Sequence, residues 1–279
     1  MKRKAFLSIY KKAAPILPAL GIIVAIGYCL AMKRDFEYSI HHFAQDSVWF
    51  WIFAVAGVIA FAISATLSVL PMKTVAIVKS PIPSPAGLFA TILCTVMCIG
   101  TLITETKVGP EQIISPMQKL GGILCIFIAI TFAMSCVKKY RGGIFHKIAS
   151  ILGLFSVNAA MFACYFDFSE PLNGPVRNIT TIMQAAVILI LISETRLAFG
   201  VPAKRVTSVL YIFSSCATSS LALGFSLGGI LYGIFSSSSA DPNLPLFRLG
   251  VYLAVAIFAV DRMIQLPAIA ADAVNEPKE

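Results

Sequence analysis

The sequence predicts an all-α membrane protein, a polytopic bundle of about eight transmembrane helices with both termini in the cytoplasm (N-in/C-in). Only 13% of the 279 residues are charged and 58% are hydrophobic, whereas about a quarter of the residues in a soluble domain are charged. Eight apolar stretches approach the roughly 20 residues that a helix needs to cross a bilayer. They are continuously apolar, without the period-two alternation of a membrane β-strand, so we expect a single transmembrane domain over residues 1–279.

The charges between these stretches predict how the chain crosses the membrane. The predicted helices lie near Ala13–Met32, Val48–Leu70, Ala86–Thr104, Leu120–Val137, Ile148–Phe166, Ile179–Phe199, Ser208–Phe235 and Phe247–Leu266. With the N-terminus inside, 16 of the 22 Lys and Arg residues fall on the cytoplasmic side, as the positive-inside rule requires. The net charge of +9 is therefore explained by topology and by anionic lipid, and we expect the lipid bilayer, not nucleic acid, as the partner.

The first apolar stretch and the polar loop that follows it, Lys33–Ser47, each suggest an alternative interpretation that the sequence disfavours. The first apolar run, Ala13–Met32, follows a basic start as in a signal peptide, but it exceeds the usual core of about 7–15 residues, so we expect a retained helix. The loop contains His41 and His42, yet adjacent side chains point in different directions, which favours a solvated loop over a metal site. Aromatic residues 49–51 begin the second helix, as expected for a belt at the membrane interface.

The cysteines and histidines predict no metal or cofactor site. All seven cysteines lie in or at the edge of apolar stretches, where free thiols act as small hydrophobic groups. Cys94 and Cys98 share a helix face, but two thiolates are too few for a structural zinc site. The three histidines are expected in loops, outside the spans. The proline-rich segment Pro71–Pro85 is expected to form a stiff, extended connector.

The seventh helix carries small residues at helical spacing. The candidate helix-packing residues are Ser220, Gly224, Gly228, Gly229 and Gly233. Small residues four apart allow a neighbouring helix to approach closely, so we expect this helix to be central. The spacing leaves open whether the neighbour belongs to the same chain or to a second copy.

A few polar side chains at membrane depth are candidate site residues, because such groups are costly in hydrocarbon. These candidates are Asn158, Gln184, Glu194, Arg196, Asp261 and Arg262. The two amides suit either an interhelical hydrogen bond or a substrate contact. The four charged residues lie near the predicted cytoplasmic surface. They suit either a gate of crossed pairs, Glu194 with Arg262 and Asp261 with Arg196, or long side chains that reach the interface separately.

Several motifs of known chemistry are absent from the sequence. It contains no Walker-type phosphate loop, no His-Glu-x-x-His zinc motif and no Gly-x-Ser-x-Gly elbow. We therefore identify no catalytic, cofactor-binding or metal-binding residues, and the enzyme class is disfavoured without being excluded.

Three stretches carry a resemblance: the helix and basic turn Ile182–Arg205, the loop Phe168–Arg177, and the segment Met32–Ser47 between the first two helices. They resemble a group of multi-pass membrane proteins of gut-type Clostridia. The group has no established activity. The resemblance implies a bacterial cytoplasmic membrane location and supplies no site residues.

Two classes of function are favoured over an enzyme by the sequence. Eight helices can enclose a cavity, which favours transport or binding of a small molecule or lipid. The alternative is a non-transporting sensor, or an accessory or assembly subunit that contacts a partner subunit in the membrane.

Overall fold

A computed structural model of the chain confirms the all-α polytopic bundle. It describes residues 3–37, 41–70, 75–77, 84–106, 116–137, 139–166, 174–200, 205–236 and 246–272. Within these ranges, eight helical spans are long and apolar enough to cross a membrane. The helices are α1 (Arg3–Ala13), α2 (Ile16–Arg34), α3 (Val48–Val69), α4 (Pro85–Thr106), α5 (Pro116–Leu124), α6 (Ile126–Cys136), α7 (Ile144–Tyr165), α8 (Pro175–Ala198), α9 (Arg205–Ala217), α10 (Leu223–Phe235) and α11 (Leu246–Ile269).

Several spans are longer than the apolar stretches and three are interrupted. The first span is Ala5–Arg34 and the fifth is Ile144–Tyr165, because a helix continues into polar residues at the interface. The first span bends between α1 and α2 beside Pro15, whose ring cannot continue the helical hydrogen bonds. The fourth divides at Cys125 into α5 and α6. A π-helical segment, Thr218–Ala222, joins α9 to α10.

Two small antiparallel strand pairs lie outside the spans. In the first loop, β1 (Phe36–Glu37) pairs with β2 (His42–Phe43), so part of the predicted solvated loop is an ordered hairpin. Between α3 and α4, β3 (Val75–Ile77) pairs with β4 (Ala270–Asp272) after α11. This pair places residues 75–77 beside the residues that follow α11, as eight crossings require. We call the side where α1 begins and α11 ends the termini side, and the other the opposite side.

The outer surface of the bundle is apolar. Large hydrophobic side chains such as Val58, Ile92, Val96 and Phe155 are exposed along the middle of their helices. A soluble monomer rarely exposes apolar surface this extensive, whereas lipid tails cover it without cost. The chain is therefore a multi-pass integral membrane protein.

The small residues of the seventh span pack against α2 within the same chain. A Cβ built on Gly224 would lie 3.0 Å from the carbonyl oxygen of Gly21, and one on Gly228 would lie 2.8 Å from that of Ala25. Glycine therefore permits this close backbone contact. Gly229 faces Leu249 of α11 instead. Of the other two small residues, Ser220 is buried in the π segment, and Gly233 is half-buried near the end of α10.

The eighth span, not the seventh, is the most buried of the eight. α11 packs against α4, α10, α9 and the π segment. Because it is surrounded by protein on most sides, its charged residues face the interior of the bundle.

Candidate functional site: two buried charge pairs on one helix

One side of α11 carries two buried arginines. Arg248 and Arg262 are 14 positions apart, which corresponds to about 21 Å along an α-helix and nearly the same angular position. Both side chains are almost completely buried. An unpaired charge at such a depth is very costly, so the partners of these arginines define the candidate site.

On the opposite side, Arg248 forms a two-pronged ion pair with Glu105 at the end of α4. Its Nε donates to Glu105 Oε1 at 2.8 Å and its Nη2 donates to Oε2. Nη2 also donates to the carbonyl oxygen of Gln118 at 3.3 Å. Gly121 and Gly122 of α5 leave room for the pair, since a Cβ on Gly121 would lie 3.2 Å from Arg248 Nη1 and one on Gly122 would collide with the carboxylate.

One turn further along α11, Tyr252 extends this network towards the middle of the bundle. Its hydroxyl accepts a hydrogen bond from Gln184 Nε2 at 3.3 Å. Gln184 is completely buried, and within the described residues its Oε1 has no hydrogen-bond partner. The sequence-predicted Gln184 therefore presents an unused acceptor at membrane depth.

On the termini side, Arg262 pairs with Glu194 of α8. Its Nε donates to Glu194 Oε1 at 2.9 Å and its Nη2 to Oε2 at 3.3 Å. The guanidinium also lies over the ring of Phe258, 4.1 Å from the centroid, and that ring stacks on Phe132 at 3.8 Å. A cation over an aromatic face is favourable in a dry site, so both the pair and the stack hold Arg262 in place.

The second crossed pair of the hypothesis is not formed. Arg196 is exposed at the end of α8, whereas Asp261 is buried and faces α4. Asp261 accepts hydrogen bonds from Ser84 and, at 2.8 Å, from Gln265 Nε2. Its Oδ2 also lies 3.5 Å from Arg262 Nη1. The structure therefore brings Glu194, Asp261 and Arg262 together and leaves Arg196 outside, because α8 turns the 196 position away from α11.

Two further residues complete the termini-side cluster. Arg141, in the loop before α7, donates from Nε to the carbonyl oxygen of Ser135 at 3.0 Å. Burial lowers the pKa of the Arg141 guanidinium and the nearby charge of Arg262 lowers it further, whereas Glu194 raises it. Arg141 therefore interacts electrostatically with both Arg262 and Glu194. From the sequence it had counted only as one of the basic residues that predict the topology.

His146 was predicted to lie in a loop, which is wrong: it is buried in the first turn of α7. α7 begins before the apolar run from which the helix was predicted, so His146 falls inside the helix. Its Nδ1 accepts from the backbone N–H of Gly142 at 3.0 Å, and its Nε2 lies 3.2 Å from Ser135 Oγ. These contacts assign the neutral tautomer with the proton on Nε2.

Hydroxyl groups line the seventh span from the level of the Glu194–Arg262 pair towards the middle of the bundle. Thr218 of the π segment donates to the carbonyl oxygen of Ala186 at 2.7 Å, and Ser214 lies 2.9 Å from Ser193 Oγ. Tyr211 OH and Ser215 Oγ are buried, and neither has a hydrogen-bond partner in the part of the chain that the structure describes. These two side chains are one turn apart and share a helix face.

Asn158 does not join either cluster. It is half-buried, and its Nδ2 donates to the carbonyl oxygen of Leu154 one turn earlier in the same helix. Sequence reasoning missed Glu105 and Arg248, which it assigned to outer loops. The available signal was weak: a lone acid and a lone base, each directly next to a long apolar run.

The described residues include no group of three or more His, Cys, Asp or Glu side chains that could hold a metal ion. Comparison with family models, curated proteins and solved structures finds no match for the chain. The function therefore has to be inferred from the charge pairs and the polar groups between them.

Proposed function

We propose that this protein transports a small, weakly polar molecule or a lipid across the bacterial cytoplasmic membrane by alternating access. In this proposal the Glu105–Arg248 pair closes one end of the path and the Glu194–Arg262 pair closes the other. One observation carries the proposal: α11 has a buried charge pair at each end, and unused polar atoms lie between them. With both pairs formed, the described conformation corresponds to a path closed at both ends.

The energetics of buried ion pairs support a gating role over a purely structural one. A buried pair is often no more stabilising than well-packed hydrophobic residues of the same volume. A buried ion pair is suited to a gate, where the two partners must separate into water, since each charge then regains the solvation that it lost on burial. Two such pairs at opposite ends of one helix, about 21 Å apart, fit a cycle in which only one opens at a time.

The groups between the pairs suit a substrate with few charges. Gln184 lies about 15 Å along α8 from Glu194, and its Oε1 is free to accept a hydrogen bond. Ser215 offers a hydroxyl group nearer the termini side, and Tyr211 offers one at the level of the Glu194–Arg262 pair. The π-helical segment beside them supports the proposal, because such segments occur frequently at functional sites.

The direction of the path is assigned from charge. The excess of Lys and Arg on the termini side supports a cytoplasmic position for that side, in which case the Glu105–Arg248 pair would close the external end. The resemblance to clostridial membrane proteins supports a bacterial cytoplasmic membrane.

Accessibility of single cysteines tests the proposal without knowledge of the substrate. In a variant that lacks the seven native cysteines, Ser215→Cys is labelled with a membrane-impermeant thiol reagent from each side of oriented membrane vesicles. Glu105→Gln is expected to raise the labelling rate from the opposite side. Glu194→Gln is expected to raise the rate from the termini side. A shift of about 1.4 kcal/mol between the two states gives about a tenfold change in rate.

Ala129→Cys, which lies buried within α6, provides the matched control and should stay unlabelled in every background. If Ser215→Cys reacts no faster than this control from either side, whatever the state of the charge pairs, the bundle does not alternate. That outcome would favour the alternative of a non-transporting sensor or accessory subunit.

A further inference from the structure

A third buried arginine, Arg177, lies on the opposite side of the bundle. It occupies the first turn of α8 and only 4% of its surface is exposed. All three of its side-chain nitrogens are buried, and none has a hydrogen-bond partner among the residues that the structure describes. This distinguishes it from Arg248 and Arg262, each of which forms an ion pair with a glutamate.

Among the residues that the structure describes, the helix terminus beside Arg177 also has no negative partner. The N-cap residue is Gly174, which makes no side-chain hydrogen bond to the helix, and the first turn contains no acidic residue. The free N–H groups and the aligned peptide dipoles give a helix N-terminus a partial positive charge that attracts anions. α8 has 24 residues, so its dipole is fully developed.

The position of Arg177 in the first turn allows its guanidinium to reach this terminus. Side chains in an α-helix lean towards the N-terminal end, so a residue in the first turn covers the turn that precedes it. An anion at the terminus would therefore be within reach of both the guanidinium and the free N–H groups of the first turn. A guanidinium binds carboxylate and phosphate oxygens through two parallel hydrogen bonds.

From the buried, unpartnered guanidinium and the uncapped helix terminus, we propose that the start of α8 binds an oxyanion, a phosphate or a carboxylate. The anion sits between the Arg177 guanidinium and the backbone N–H groups of the first turn. Its source is either a free solute on the opposite side of the membrane or the headgroup of an anionic lipid. The site lies about 10 Å along α8 from Gln184, and it exists whether or not the protein is a transporter.

The direction in which Arg177→Met shifts the apparent Tm tests whether Arg177 is unpaired. The full chain is purified in a neutral detergent with sodium chloride only, and its apparent Tm is measured for wild type and for Arg177→Met. Removal of an unpaired buried charge is expected to raise Tm by several degrees. Arg177→Lys, which retains a charge without the planar fork, should not raise it. In protein that native mass spectrometry shows to carry no lipid, a fall in Tm for Arg177→Met would overturn the proposal, because it would show that the guanidinium already has a partner within the chain.

Two additions then identify the source of the anion. Inorganic phosphate at matched ionic strength is expected to raise the Tm of wild type and not of Arg177→Met. In a parallel arm, native mass spectrometry of protein extracted from vesicles of phosphatidylglycerol and phosphatidylcholine counts retained anionic lipid. A phosphate-dependent shift indicates a solute site, and a retained phosphatidylglycerol that Arg177→Met loses indicates a lipid site.

The matched control is Arg196→Met, which removes an exposed arginine from the far end of the same helix and should change neither readout. Absence of both effects in wild type would refute the proposal. Asp167 and Glu170 precede α8 outside the described residues. If Arg177→Met and Glu170→Gln each lower Tm and together lower it no further, the anion is the chain's own carboxylate and the proposal is wrong.

Discussion

The Glu105–Arg248 pair allows a quantitative test of how a charge pair is held inside the bundle. Both side chains are buried, and two hydrogen bonds join them. Removal of one partner of a buried pair costs about 3–5 kcal/mol, because the other charge stays buried. At about 2–4 °C per kcal/mol for a chain of this size, Glu105→Gln and Arg248→Met should each lower Tm by roughly 6–20 °C.

The double variant Glu105→Leu/Arg248→Met should behave differently from either single change. It leaves no buried charge and fills a similar volume, so its stability should fall within about 1 kcal/mol of wild type or exceed it. The assay is thermal unfolding in detergent followed by tryptophan fluorescence. Lys119→Met, an exposed charge on the same side of the bundle, should change stability by less than about 0.5 kcal/mol. The reasoning is refuted if the double variant loses the sum of the two single losses, since the charges would then not be coupled.

The remaining predictions concern helix packing and the second pair. Gly21→Ala should lower the free energy of unfolding by about 1–3 kcal/mol, because the new Cβ would lie 2.9 Å from a carbonyl oxygen of the π segment. Gly57→Ala, whose Cβ would meet only a leucine methyl at 3.8 Å, should be nearly neutral in the same denaturation assay, and equal losses would contradict the packing argument. Glu194→Gln should lower Tm less than Glu105→Gln does, since Asp261 remains 3.5 Å from Arg262. A larger Tm loss for Glu194→Gln would show that Asp261 does not compensate for the missing carboxylate.

The spans could be predicted from the sequence because lipid imposes a strong constraint on composition. Every backbone polar group must be satisfied inside the hydrocarbon, so a continuous apolar run of sufficient length predicts a helix almost without tertiary information. The ends of the spans were harder to predict. A helix continues into the interface as long as its hydrogen bonds continue, which is how His146 became a buried helical residue instead of a loop residue.

The candidate site was only partly predictable for a different reason. Glu194 and Arg262 were recognised as unusual because each lies inside or at the end of an apolar run. They are 68 positions apart in the chain, however, and the sequence does not show that their side chains are in contact. Glu105 and Arg248 are 143 residues apart, and each resembles an ordinary loop charge. Arg177 was missed similarly, since its burial depends on how neighbouring helices cover the start of α8.

The pairing of β3 with β4 constrains when this part of the chain can fold during synthesis. About 190 residues separate the two strands, and at about 5–20 residues per second the ribosome supplies the second strand roughly 10–40 s after the first. During that interval the edge of β3 is open to other extended chains, so β3 cannot find its native partner until nearly all of the chain has been made.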